Sequence, residues 1–481
     1  MNKPNVGTFL GHPKGLFLLF GTEMWERFSY YGMRAILVLY LVDLVERGGL
    51  GFTRGDALSL YGTFTMLVYL TPLIGGWLAD NILGQRRSII IGGILMALGQ
   101  FALGTPHAYV QGMELEMFYF GLALLVCGNG LFKPNISTMV GDLYNEGDHR
   151  RDGAFTIFYM GINLGAAIAP LIVGTIAEKG EWQYGFVAAG VGMIISVIMQ
   201  LTFGKKYLGD IGVEPAAKLA LKNSTSDKKE PLTAVERDRI KVIFIMGVFT
   251  IIFWAGFEQA GGLMNLFANE YTDRMIGAFE VPASWFQSVN AIFIVIFAPI
   301  IASIWVKMGD NEPTSPVKFA LALILLAIGF FFMIGATLQQ GGDVSVKTSM
   351  IWLILAYLFH TLGELCLSPI GLSMVTKLAP LRLASLLMGI WFFFTALANK
   401  VAAFVGSFIG EGNEAANNAL AIFSGIAITA IVSGIIMYMI SGKLVDWMHG
   451  AEGAHTDSVE EKLEEELEVT ATHEGVSKQH S

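Results

Sequence analysis

The chain has 481 residues, 54% of them apolar and 15% charged, with a net charge of −9. Soluble domains carry about 25% charged residues. The deficit excludes an ordinary soluble enzyme, a disordered chain and a nucleic-acid partner. Much of the acid lies in one tail, 457–468, and both cysteines, Cys127 and Cys366, lie in apolar segments. They form no disulfide framework and read as small buried thiols.

A helix of roughly 20 apolar residues crosses the hydrocarbon core of a bilayer. Six such blocks come first, at 16–41, 57–78, 88–103, 118–140, 154–176 and 184–203. No signal peptide precedes the first, which is expected to stay in the mature protein. A polar stretch, 204–241, is too hydrophilic to span. Six more blocks follow at 242–267, 285–306, 319–338, 349–376, 384–409 and 418–440. The expected architecture is an all-α polytopic membrane protein with 12 spans. Its parts are an N-terminal six-helix bundle (1–203), a cytoplasmic linker (204–241), a C-terminal six-helix bundle (242–442) and an acidic cytoplasmic tail (443–481). The tail reads as a solvated, partly helical extension.

Lys and Arg collect on one side. That side holds Lys3, Lys14, Arg86, Arg87, Arg150, Arg151, Lys205, Lys206, Lys307, Lys318, Lys377, Arg382 and Lys443. The other holds Arg47, Arg54, Lys179, Arg274 and Lys347. Positive residues mark the cytoplasmic face, so both termini are expected there, in a cell (inner) membrane.

The halves echo one another. Asp80 matches Asp310, and LMALGQF at 95–101 matches LLAIGFF at 325–331, both at an offset of 230. Gly128 matches Gly363, and Pro134 matches Pro369, at an offset of 235. Duplicated transporters place their sites near the midplane, between repeats that rock.

Ionisable groups inside spans are costly and face a cavity or one another. The first span carries Glu23, Glu26, Arg27, Tyr30 and Arg34 at helical spacing, one stripe that cannot face lipid. The fourth holds Lys133 one turn after Asn129, and the seventh holds Glu258 beside Gln259 with Trp254 one turn earlier. The tenth holds His360 and Glu364, and the eleventh Lys400 after Asn399. For the first-span charges the alternative is an ion network that merely staples helices. His360 reads as a packing residue and Lys400 as a snorkelling one.

GGWLADNILGQRR at 75–87 resembles the loop signature of the major facilitator superfamily, in which Asp80 and Arg86 or Arg87 can pair. EMWERFSYYGMR at 23–34 resembles the ExxER signature of the proton-coupled oligopeptide transporters. GNGLFKPNISTMVGDLY at 128–144, FYMGINLGA at 158–166 and GELCLSPIGLS at 363–373 are similar to that family's signatures in the fourth, fifth and tenth spans. The resemblance covers the whole membrane region. It implies a symporter that imports di- and tripeptides with protons. It implies a proton-coupling network of Glu23, Glu26 and Arg27, linked with Lys133. Arg34 and Lys133 stand where the family holds the peptide carboxylate, and Glu364 where it meets the amino terminus. Tyr30, Tyr69, Asn163, Trp254, Asn290 and Trp391 resemble its pocket-lining residues, and Arg34 with Glu258 a gate. Many bacterial relatives carry two extra helices between the halves; here the linker is too short for them, so none are expected.

These residue types suit the task. A promiscuous site for zwitterions of variable side chain must grip the two termini and the backbone. Cations at one end and an anion at the other form a dipolar clamp, Asn residues bond the peptide linkage, and aromatic walls tolerate many side chains. A carboxylate titrates differently beside a cation and away from water, which suits it to carry the proton. The expected partners are peptides, protons and the lipid bilayer, and a monomer completes the cavity. No cofactor beyond the proton as coupling ion, no metal and no catalytic residue are expected. HExxH, GxSxG and P-loop patterns are all missing, which disfavours an enzyme. A related carrier of nitrate or plant metabolites remains the rival reading.

Overall fold

The computed structural model describes residues 7–145, 148, 150–215, 232–380, 383–412 and 414–451. The middle of the linker, Arg382 and the tail beyond 451 lie outside the described residues. Twelve long helices follow one another among the described residues: α1 (Lys14–Val42), α2 (Arg54–Leu78), α3 (Gln85–Leu103), α4 (Glu114–Asp142), α5 (Arg150–Ala169), α6 (Trp182–Leu208), α7 (Ala234–Phe257), α8 (Phe286–Met308), α9 (Ser315–Gln340), α10 (Met350–Leu378), α11 (Ala384–Gly406) and α12 (Glu414–Trp447). Eleven helical segments are long and apolar enough to cross a membrane. The first helix falls outside that set because Glu23, Glu26, Arg27 and Arg34 interrupt its apolar run, and its charged stripe is buried in the protein. The protein is a multi-pass membrane protein.

Local chemistry explains where helices start and bend. Helix α7 opens on a capping box, with Thr233 Oγ1 accepting from Glu236 N at 3.1 Å and Glu236 accepting from Thr233 N at 2.8 Å. It therefore begins ahead of the apolar block. Pro170 lacks an N–H, and α5 passes there through a π turn (Pro170–Gly174) into Thr175–Lys179. After α7 the chain makes a 3₁₀ turn, Glu258–Ala260, and restarts as a short helix, Leu263–Tyr271. The uninterrupted span expected at 242–267 is thus broken, because Gly261 and Gly262 follow the turn. In the loop after α2, Arg86 donates to Gly209 O at 3.0 Å instead of pairing with Asp80.

In the first half α1 packs on α5 and α6, α3 on α4 and α6, and α2 on α4. In the second, α9 packs on α10 and α12, α7 on α11 and α12, and α8 on α10. The halves meet where α2 crosses α11 and where α5 meets α8.

The internal repeat is visible in packing. A Cβ on Gly128 of α4 would lie 2.6 Å from Gly92 O of α3; one on Gly363 of α10 would lie 2.9 Å from Ala322 O of α9. Gly92 and Ala322 are 230 positions apart, and Gly128 and Gly363 are 235 apart. Gly99 against Gly121 O at 2.8 Å and Gly329 against Ala356 O at 3.0 Å repeat the match. At this second contact His360 stands where the first half has Leu125. It is buried beside Phe330 and Phe257, with ring centroids at 4.7 and 6.4 Å, which is a core position. Gly128→Val is expected to force α3 and α4 apart and destabilise the protein by about 1–3 kcal/mol. Thermal unfolding in detergent measures this; an unchanged transition would show that the backbones separate freely.

Candidate functional site

One turn of α1 supplies three buried charges. Arg27 Nε lies 3.0 Å from Glu23 Oε1 and forms an ion pair with Glu26, and all three side chains are almost fully shielded. A spacing of four puts Glu23 on the face of Arg27, and Glu26 reaches the same guanidinium from the adjacent position. Asn129 of α4 donates to Glu26 Oε1 at 3.3 Å. One turn further along α4, Lys133 sets its ammonium 4.3 Å from the centroid of the Tyr69 ring. Buried charges persist when they are paired and bonded in this way.

A cavity of about 290 Å³ lies between the halves beside this network. The first half lines it with Glu23, Arg27, Tyr69, Lys133 and Asn163, and the second with Trp254, Asn290, Glu364 and Trp391. Asn290 donates to Glu364 Oε2 at 2.9 Å and to Thr361 Oγ1 at 3.0 Å, so the carboxylate is held by a neutral amide. The cavity therefore has a basic side chain on α4 and an acidic one on α10, with amides and aromatic rings between. Trp254 rests on Phe253 and Phe257, and Trp391 on Phe319 and Phe394.

Glu26, Tyr30, Arg34 and Glu258 stand off the wall. Glu26 lies behind Glu23 and Arg27, and Tyr30 is buried with its ring 5.6 Å from the Arg27 guanidinium. Arg34 forms an ion pair with Glu258 and donates to Tyr61 Oη at 2.5 Å. A belt of contacts between the halves surrounds that pair. Arg54 Nη2 lies 2.7 Å from Glu270 Oε2, and its Nη1 lies 2.7 Å from Glu411 Oε2. Glu178 accepts from Ala283 N at 2.7 Å and Ser284 N at 2.8 Å, Trp285 Nε1 donates to Thr175 Oγ1 at 2.8 Å, and Asn265 donates to Ala35 O at 2.8 Å. These contacts join the two halves at the end of the molecule to which the C-terminal end of α1 and the N-terminal end of α2 belong. A larger, polar cavity of about 540 Å³ lies at that end, lined by Asp43, Arg47, Glu178, Glu270 and Arg274. Glu178 and Glu270 on its wall are engaged in the belt, and Arg274 lies within ion-pair distance of Glu178 and Glu280.

The wall also includes Tyr31, Tyr159, Gln287, Phe392 and Thr395, none of which the sequence reading placed in the site. Signals for three of them were present. Tyr31 stands one turn after Arg27, Tyr159 one turn before Asn163 and Gln287 one turn before Asn290. Lys400 donates to Thr63 Oγ1 at 2.7 Å across the α2–α11 crossing, so its amine joins the halves instead of snorkelling. Among the described residues, no cluster of His, Cys, Asp and Glu could hold a metal ion.

Two helical halves around a cavity with basic and acidic side chains on its walls define a membrane transporter. The model of the POT family matches residues 86–215 and 214–422. The chain is 34% identical to the peptide transporter YePEPT of Yersinia enterocolitica, covering 95% of this chain and 99% of that one. It is 34% identical to a di-/tripeptide transporter of Lactococcus lactis subsp. cremoris, covering 92% and 97%. It also resembles a crystal structure of a peptide transporter POT in complex with sulfate, with a TM-score of 0.85 at 37% identity over 93% of this chain and 98% of that one. The chain belongs to the POT family, within the major facilitator fold, and is a peptide transporter, not an enzyme.

Proposed function

We propose that the chain is a proton-coupled symporter that imports di- and tripeptides by alternating access. The carrying observation is one cavity bordered by Lys133 from the first half and Glu364 from the second, directly beside the Glu23–Arg27–Glu26 network. Lys133 takes the peptide carboxylate and Glu364 the ammonium, with Arg34 joining when its pair with Glu258 opens. Asn163 and Asn290 bond the peptide linkage; Tyr30, Tyr69, Trp254 and Trp391 form or back the walls. Protonation of the acidic pair loosens its hold on the nearby cations, and Lys133 is freed for the carboxylate. Charge balance, not a cofactor, couples the two movements.

The halves 1–203 and 242–442 rock about the central cavity, joined by a cytoplasmic linker. The basic face holds both termini on the cytoplasmic side of the cell membrane. The belt around Arg34–Glu258 is then the outer closure, and the conformation faces inward. A monomer suffices, because each cavity wall comes from one chain.

The test is uptake of labelled dialanine into proteoliposomes, with and without an inward proton gradient and inside-negative potential. Accumulation of intact label above equilibrium only with the gradient is expected. No flux and no exchange would overturn the reading in favour of another substrate. Glu258→Gln is expected to weaken the outer closure by removing one charge of a buried pair, about 3–5 kcal/mol in similar cases. A cysteine at the closed end should then react faster with an impermeant maleimide, and an unchanged rate would remove Glu258 from the gate.

A further inference from the structure

Gln287 stands on α8 one turn before Asn290 and lines the cavity. Its side chain is also tied to the break in α7. Nε2 donates to Ala260 O at 2.7 Å and to Tyr357 Oη at 3.1 Å, and the Tyr357 hydroxyl donates to Ala260 O at 3.3 Å. A carbonyl only accepts, so the carboxamide must turn its N–H₂ group towards Ala260. These bonds engage the donors of Gln287 and leave its acceptor oxygen out of them.

Ala260 ends the turn that begins with Glu258. Beyond it Gly262, at φ −108° and ψ −97°, leaves the helical conformation before Leu263 restarts the helix. A Cβ on Gly261 would overlap the Tyr61 hydroxyl and lie 3.1 Å from Arg34 Nη2. The broken turn is thus wedged against the partners of the Arg34–Glu258 pair. A broken helix within a membrane needs side chains to bond its released backbone groups. Gln287 does this from α8 and Tyr357 from α10.

We propose that Gln287 reports occupancy of the cavity to the break in α7. This rests on the peptide reading of the cavity. In the empty, outwardly closed protein, Gln287 braces the turn that carries Glu258. A carboxamide is matched to a peptide bond, with a donor and an acceptor side by side. When it turns to a bound peptide it leaves Ala260 O, the turn loses its brace, and the outer closure loosens. The loaded carrier then changes conformation more readily than the empty one. Gln287 acts here as a positioning residue, through Ala260 and Glu258.

The experiment uses the full chain with Cys127→Ser and Cys366→Ser and one reporter, Leu58→Cys, at the closed end beside Gly262 and Gly406. Reaction with an impermeant maleimide is followed with and without saturating dialanine, and binding of labelled dialanine is measured on the same protein. Dialanine is expected to speed the parent's reaction about fivefold, the scale of one lost hydrogen bond. Gln287→Ala is expected to react as fast without dialanine as the parent does with it, and to bind dialanine more weakly because the carboxamide contact is gone. A Gln287→Ala protein that binds and keeps the full peptide-dependent step overturns the proposal alone. A parent that binds no dialanine overturns the peptide reading and the proposal with it. Should Gln287→Ala not fold, Tyr357→Phe decides: faster labelling of the empty protein supports the brace, and an unchanged rate overturns it.

Discussion

Glu23→Gln and Glu26→Gln are each expected to abolish accumulation of dialanine driven by an inward proton gradient, while exchange of preloaded peptide continues. Glutamine keeps the size and an acceptor oxygen of the carboxylate but cannot carry the proton. Both carboxylates share Arg27, so removing either charge changes what the other carboxylate and Lys133 experience. Glu23 borders the cavity and Glu26 stands behind it, bonded to Asn129. A proton arriving through the cavity therefore meets Glu23 first. Glu26→Gln keeps an acceptor for Asn129, so its fold should hold and the loss should be specific to coupling. The measurement pairs gradient-driven uptake with counterflow in the same vesicles. Concentrative uptake intact in both variants would remove these carboxylates from the proton path. Loss of counterflow as well would make the network structural, the staple weighed against it from the start.

Much of this architecture was legible because membranes impose strong rules. Apolar block length and the offsets of 230 and 235 survive translation into helices and glycine contacts. The buried stripe on α1 was legible for the same reason, since charge within a span must turn inward. Finer placement was not. Positions 23, 26, 27, 30 and 34 form one stripe, but the wall of the cavity takes 23, 27 and 31 and leaves 26, 30 and 34 behind or above it. Spacing defines a face to within a residue either side, and only packing against α4 and α5 divides it. The break in α7 was hidden because hydropathy runs through it; Gly261–Gly262 was the available mark. Gln287 carried its helical spacing to Asn290, but a neutral amide in an apolar span does not show in sequence which backbone group it bonds. Its bonds to Ala260 and Tyr357 depend on helices that are distant in sequence.

Lys133→Ala and Glu364→Gln are each expected to lower dialanine uptake at low concentration about 30-fold or more. Truncating one partner of a buried charge pair costs about 2–5 kcal/mol, and a bound zwitterion would make one such pair at each end. The two substitutions should differ in kind. Asn290 donates to Glu364, and Glu364→Gln keeps an acceptor for that bond while removing the charge opposite the ammonium. Its defect should shrink for a peptide whose amino terminus is acetylated, because that ligand no longer needs an anion. Lys133 lies beside the acidic pair as well as the cavity, so Lys133→Ala should impair coupling along with affinity. A Lys133→Ala carrier would then show weak counterflow and weaker gradient-driven uptake. If both variants keep wild-type affinity for dialanine, the termini do not bind between α4 and α10. If Glu364→Gln discriminates against the acetylated peptide as strongly as the parent does, the ammonium is held elsewhere.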